Sequence, residues 1–190
     1  GVSVFLSIQL ANTQTLHSFK ESVNLVLGRA DAVIHAEGMA FDEQVFKRLS
    51  RLRESLKFYP IIEGYGIESK SGQVVEILGT DLLQDSGIRD FSIKTVEKDL
   101  KGLLPIIMDP MGIVLPEKFI PGTNFQPGDS IVFLINGIEK TFNVTAILEN
   151  KGLARALNGN FALMDIAAAQ WAFGRVGKLD RIDIEFKKEE

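Results

Sequence analysis

Residues 58–78, FYPIIEGYGIESKSGQVVEIL, decide the fold class. Phe58 to Glu68 and Gln73 to Leu78 are extended runs rich in β-branched and aromatic residues. Ser69-Lys70-Ser71-Gly72 between them is a polar turn whose glycine is placed for a hairpin. Upstream, Ala32 to Glu37 reads as a strand, and Asp42 to Leu56 as a helix. Asp42 can cap that helix and Phe41 can staple onto Phe46. Its apolar face is Val45, Phe46, Leu49, Leu52 and Leu56, at helical spacing. The unit is therefore β-α-β-β.

A similar unit closes the chain. Phe161 to Met164 reads as a strand, and Asp165 as the N-cap of a short helix running through Phe173 with Gly174 at its end. Leu179 to Phe186 follows as a strand, with Ile182, Ile184 and Phe186 alternating with Arg181, Asp183 and Glu185, the period of a half-buried strand. Neither unit can cover its apolar face alone, so the strand 179–186 is expected in the same sheet as 32–37. Between them the pattern changes. Asn136-Gly137 joins Ser130 to Ile135 and Ile138 to Leu148, a strong short hairpin signal. Gln126-Pro127-Gly128-Asp129 supplies the turn before it, and Pro105, Pro110, Pro116 and Pro121 exclude long helices. The expectation is an α+β fold in which an α/β lobe, residues 30–97 and 159–190, is interrupted by a β-rich lobe, residues 98–158.

Composition is that of a globular chain: 45% of the 190 residues are apolar, enough for a sizeable core. Twenty-five acids against 21 bases give a net charge of −4, and the scattered basic residues make no phosphate-tracking stripe, so nucleic acid is not an expected partner. There is no cysteine, which removes disulfides, thiolate nucleophiles and cysteine-based zinc sites.

Residues 1–11, GVSVFLSIQLA, are apolar on every face of a helix, without an N-cap or a charge before Lys20. From Asn12 onward the apolar residues narrow to the stripe Leu16, Phe19, Val23, Val26 and Leu27. A helix that is greasy all round and then one-sided reads as one leaving lipid, so residues 1–29 are expected to form a stem continuing from a membrane helix. The competing reading is a buried core helix, since 11 apolar residues fall short of the ~20 that span a bilayer. A secretory signal would need a basic flank and a small-residue cleavage site, both missing.

Residues that could carry chemistry do not converge in the sequence. His17 and His35 fall on different elements, so a paired-histidine metal site would need a coincidence of fold. Asp81, Asp85 and Asp90 lack the glycine and glutamate of a calcium loop. Gly64-Tyr65-Gly66 has no third glycine and lies inside a strand run, there is no phosphate-binding GxxxxGK[ST] run, and neither Ser18 nor Ser130 sits in a glycine elbow. Asn143-Val144-Thr145 matches a glycosylation acceptor but falls mid-strand. No catalytic residue, metal or cofactor is expected. Where the chain returns from the middle lobe, Lys151, Arg155, Asn158 and Asn160 are polar groups of a candidate inter-lobe groove; an exposed connector is the plainer reading of the same stretch.

The string FLSIQLANTQTLHSFKESVNLVLGRADAVIHAEG (5–38), followed by a helix and FYPIIEGYGI, resembles the start of the extracytoplasmic core domain of MacB-type, FtsX-like ABC transporter permeases. The segments VVEILGTDLLQ, FQPGDSIVFLINGIEKTFNVTAIL and NFALMDIAAAQWAFGRVGKLDRIDI extend the resemblance over nearly the whole chain. It implies a porter-like α/β lobe interrupted by a lobe known as the sabre, on a periplasmic domain of an inner-membrane protein. It implies no enzymatic activity, and a coupling stem that includes Leu16, Phe19, Val23 and Leu27. The implied partners are a cytoplasmic ATP-binding subunit, a second permease copy or homologue, and a periplasmic adaptor or substrate protein. The implied role is to turn ATP hydrolysis into movement outside the membrane, for export or for lipoprotein or lipid release. The alternatives are a soluble ligand- or protein-binding module and a hydrolase.

Overall fold

The computed structural model describes residues 30–36, 38, 40–52, 56–85, 93, 100–120, 123–151 and 159–187. The stem expected over residues 1–29 lies outside the described residues. The strands are β1 (Ala32–His35), β2 (Phe41–Asp42), β3 (Leu56–Glu68), β4 (Val74–Thr80), β5 (Gly112–Pro116), β6 (Ser130–Ile135), β7 (Ile138–Leu148), β8 (Phe161–Asp165), β9 (Lys178–Leu179) and β10 (Arg181–Phe186). The helices are α1 (Gln44–Leu49), α2 (Leu82–Asp85), α3 (Leu100–Met108) and α4 (Ile166–Ala172).

Eight strands form one mixed sheet in the order β1-β10-β3-β4-β8-β5-β7-β6, and β2 and β9 make a small second ladder. The class is mixed α and β with a large sheet and few helices, as the sequence indicates. β10 pairs antiparallel with β1 from Ala32↔Ile184 to His35↔Arg181, so the two ends of the chain share a sheet. β4 and β8 run parallel, Glu76↔Phe161 to Thr80↔Asp165. The strands of the middle stretch join that sheet at two short junctions, Val114↔Leu163 between β5 and β8, and Ile67↔Leu134 with Glu68↔Phe133 between β3 and β6. The second junction returns the sheet on itself, from β3 through β4, β8, β5, β7 and β6 back to β3.

Local chemistry accounts for several of these elements. Asn136 (φ 52°) and Gly137 (φ 78°) both adopt positive φ, the conformation a two-residue hairpin needs to match strand twist. Asp165 caps α4, its side chain accepting from the Ala167 N–H at 3.0 Å. α4 buries Ala168, Ala169 and Ala172 against the sheet. The approach is close enough that a Cβ on Gly79 would stand 2.1 Å from the Ala169 Cβ.

The first helix departs from expectation. α1 ends at Leu49 and continues only as a 3-10 turn, Ser50–Leu52, while Leu56 already belongs to β3. Asp42 accepts from the Gln44 N–H at 2.8 Å, but Phe41 is held in β2 opposite Leu179. No residue of α1 is fully buried, so little packing opposes its early end. β1 likewise stops at His35. α3 spans nine residues with Pro105 inside it, a helix in a stretch read as β-rich.

Two apolar clusters lie on opposite faces of the sheet. The larger takes Phe58, Ile62, Val75, Ile77, Met164, Ala169, Phe173 and Ile182 together with Ile113, Phe133, Phe142 and Val144 of the middle stretch. The smaller gathers Ile61, Leu78, Phe161, Leu163, Val114 and Leu148 with Leu82 and Ile106 of α2 and α3.

Candidate functional site

β3 is long enough to change partners along one edge. Leu56 to Ile61 pair with β10, and Ile67 and Glu68 pair with β6. Between these stretches, at Glu63 to Tyr65, the sheet is split, and an open cleft of about 600 Å³ lies there. Its walls come from five places: His35, Ala36, Gly38 and Ala40 after β1; Glu63, Gly64 and Tyr65 of β3; Asn136 of the β6–β7 turn; Phe173 and Arg175 after α4; and Asp180 between β9 and β10.

The loop after α4 satisfies the β3 backbone where no strand does. The Asp180 carboxylate accepts the Glu63 N–H at 2.8 Å, and Arg175 Nη1 donates to the Glu63 carbonyl at 2.9 Å. Arg175 and Asp180 are ion-paired with each other, and the Arg175 guanidinium lies 5.4 Å from the Phe173 ring centre. Buried backbone polar groups need such partners, which is why charged side chains sit at the split. Phe173 is itself seated over Gly64, where a Cβ would come within 2.4 Å of its ring.

A second group of charges stands behind Glu63. Arg181 is ion-paired through Nη1 with Glu63 Oε2 and through Nε with Asp183 Oδ1 at 2.9 Å. Arg181 and Asp183 are 4% and 0% exposed, and Arg181 Nη2 is buried without a hydrogen-bond partner. This corrects the half-buried reading of β10: its polar face is as buried as its apolar one, while Phe186, assigned to the core, is exposed. Pairing permits it, since a buried charge is tolerated when a partner and hydrogen bonds compensate its lost hydration. Glu185, further along the same face, accepts from Lys57 Nζ and from the Tyr59 hydroxyl, both at 3.1 Å.

Burial and neighbouring carboxylates displace the ionisable groups here. Burial, and then the neighbouring Glu76 and Glu63 carboxylates, push the Tyr65 hydroxyl up to about 12. Burial, and then Glu63, raise Glu76, with Arg181 pulling the other way.

The middle stretch is fastened beside this cleft. Asn136 Nδ2 donates to the Phe173 carbonyl at 3.3 Å, and Lys140 Nζ donates to the carbonyls of Ala172 at 2.7 Å and Trp171 at 3.3 Å, while lying 4.3 Å from the Trp171 ring centre. A lysine at a helix C-terminus complements its exposed carbonyls and dipole.

The residues singled out from sequence are placed otherwise. Leu16, Phe19, Val23 and Leu27 of the stem, Arg155 and Asn158 of the groove, and His17, Ser18 and Asp90 lie outside the described residues. Lys151 is exposed and paired with Glu149 at 2.7 Å. Asn160 accepts from Gln73 Nε2 at 2.6 Å, and its carbonyl accepts the Glu76 N–H at 3.2 Å, so it helps fasten β4. Asp81 caps α2, accepting from the Leu83 N–H at 3.1 Å. Asn143 Nδ2 donates to Asp109 at 3.0 Å from within β7. Among the described residues no group of histidines and acids is arranged to hold a metal ion, and no helix is long and apolar enough to cross a membrane. Of the residues weighed for chemistry, His35, Gly64 and Tyr65 line the cleft. The signal for the rest was the Arg175…Asp180-Arg181…Asp183 spacing, legible only once Glu63 is known to face it.

The fold defined by this split mixed sheet is similar to that of two solved domains, one periplasmic and one extracellular. It matches the periplasmic region of MacB from Actinobacillus actinomycetemcomitans with a TM-score of 0.59, at 10% identity, over 83% of this chain and 74% of that one. It also matches the extracellular domain of the noncanonic ABC-type transporter YknZ from Gram-positive bacteria with a TM-score of 0.59, at 8% identity, over 82% of each chain. No protein-family profile matches the sequence, and no curated protein does.

Proposed function

We propose that this chain is the extracytoplasmic domain of an ABC transporter permease, and that it carries ATP-driven movement of a cytoplasmic partner to the outer side of the membrane. The observation that carries the reading is the likeness of fold, over more than four-fifths of the chain, to two transporter domains of this kind. The architecture suits transmission. The middle stretch, which we take as a lobe over residues 98–158, is tied to the rest by two short strand junctions and by the Asn136 and Lys140 clamp on α4. Such a body passes on displacement without needing a reactive group. Its partners in this reading are an ATP-binding subunit, a second permease copy, and an adaptor or substrate protein outside the membrane.

The test is paired ATPase and transport measurement on the reconstituted parent complex. The sequence pattern of residues 1–29 assigns them to the connecting stem, so Ser18→Pro, which costs a helix interior ~3 kcal/mol or more, should lower transport while ATP hydrolysis persists. Normal transport in that variant would defeat the lever reading, and nucleotide hydrolysis by the purified chain alone would defeat the non-enzymatic one.

A further inference from the structure

We infer that Asn136-Gly137, the turn between β6 and β7, is a deamidation site, and that conversion of the Asn136 amide to a carboxylate releases the hold of this turn on the loop after α4. The inference does not depend on the transporter reading.

The chain contains the dipeptide Asn-Gly twice, at 136–137 and at 158–159. The chemistry open to each is the same. The backbone nitrogen of the glycine, having lost its proton to solvent base, attacks the side-chain carbonyl carbon of the asparagine. The side-chain nitrogen leaves as ammonia, and a five-membered imide remains. Water then opens the ring at one of its two carbonyls and gives aspartate or isoaspartate, so amide and water become acid and ammonia. Glycine favours ring closure because no Cβ obstructs the approach or the rotation of its peptide plane.

The two glycines stand in opposite surroundings. Gly137 is exposed, a Cβ on it would meet nothing within 4 Å, and its N–H has no hydrogen-bond partner among the described residues. Gly159 is buried, and a Cβ there would stand 2.0 Å from the Lys118 carbonyl oxygen, so its backbone is pressed against another stretch of chain. Water and room to rotate are present at the first and denied at the second. Asn136 is itself exposed, and its amide is tethered by a hydrogen bond of 3.3 Å to the Phe173 carbonyl, longer than the usual range.

Conversion alters the turn in two ways. An ionised carboxylate has no hydrogen to donate, so the bond to the Phe173 carbonyl becomes repulsion between two acceptors. Isoaspartate also routes the main chain through the side-chain methylene, lengthening a two-residue turn whose geometry sets the Ile135↔Ile138 pairing. Lys140 still donates to the Trp171 and Ala172 carbonyls, so the part set free is the loop beyond them, Phe173 to Arg175.

Peptide mapping by mass spectrometry after incubation in mildly alkaline buffer should show Asn136 converting at least about tenfold faster than Asn158, a small difference in barrier. In urea, with the fold removed, the two rates should converge. Asn158 converting as fast as Asn136 in the folded chain would overturn the site, and a preference that persists in urea would overturn its structural basis. Asn136→Asp, a residue type tolerated at positive φ, reproduces the new charge without the longer backbone. Hydrogen exchange of the Gly174 and Arg175 amides, which donate to the Trp171 and Gln170 carbonyls at the end of α4, should rise several-fold in that variant, while the Ile77 amide in β4 keeps its rate. Unchanged exchange at Gly174 and Arg175, or an equal rise at Ile77, would overturn the release.

Discussion

β10 presents two faces that the sequence writes in strict alternation, and both are buried by different means. Ile182 and Ile184 enter the larger apolar cluster, where contact is non-directional and volume decides. Arg181 and Asp183, on the other face, are as deeply enclosed but are held by directed ion pairs with fixed partners. The apolar face is held by close approach and the polar face by charge balance. Each therefore fails in its own way.

The largest effect is expected on the polar face. Arg181→Ala removes the guanidinium from Asp183, which is wholly buried, and from Glu63, and breaking a buried pair from one side costs ~3–5 kcal/mol. Urea unfolding should show the midpoint collapse, and a loss below about 1 kcal/mol, the scale of an exposed pair, would remove the distinction between the two faces. On the apolar face, Gly79→Ala places a methyl 2.1 Å from the Ala169 Cβ, so α4 must shift, at the upper end of the ~1–3 kcal/mol that overpacking costs. Adding Ala169→Gly should recover much of that loss. If the double variant is no better than the single one, contact with α4 is not what holds that face.

The smallest effect falls at Glu68, an acid on the same side of β3 as Gly64 and Gly66 and only 3% exposed. Burial pushes its carboxyl up. Hydrogen bonds from Ser71, through hydroxyl and backbone, and from the Lys70 N–H outweigh that and hold it below its ordinary 4.5. A lowered folded pKa contributes stability that is present above pH 4.5 and lost as pH falls through the folded value. Glu68→Gln should therefore be less stable than the parent at neutral pH, with the gap closing below pH 4.5. A gap that does not change with pH would mean that the turn is held by shape alone.

Much of the framework was legible because short-range chemistry determines it. The Asn136-Gly137 hairpin, the Asp165 cap and the β3–β4 turn each follow from a few adjacent residues, and so does the sharing of one sheet by 32–35 and 181–186, since neither unit could cover itself. The first helix was overread because apolar spacing at Val45, Phe46 and Leu49 promises a buried face that the fold only half supplies. α3 was missed because Pro105 masks a short helix that its neighbours support. The cleft was illegible for a different reason. Glu63 is 112 residues from Arg175 and 118 from Arg181 along the chain, and alternation in β10 gives no sign that the polar residues are enclosed. Charge pairing across strands leaves no period to read.

The position of β10 has a consequence for how this chain comes to exist. Among the described residues β1 pairs with the sheet through β10 alone, so that ladder forms only once residues 181–186 are made. The order of synthesis and the order of assembly are thus opposed: until β10 is made, β1 lacks its ladder partner and β3 carries an open flank along Leu56 to Ile61. Pairing of β1 waits for a strand made some 150 residues later, and removal of residues 181–186 would take away the ladder that holds it.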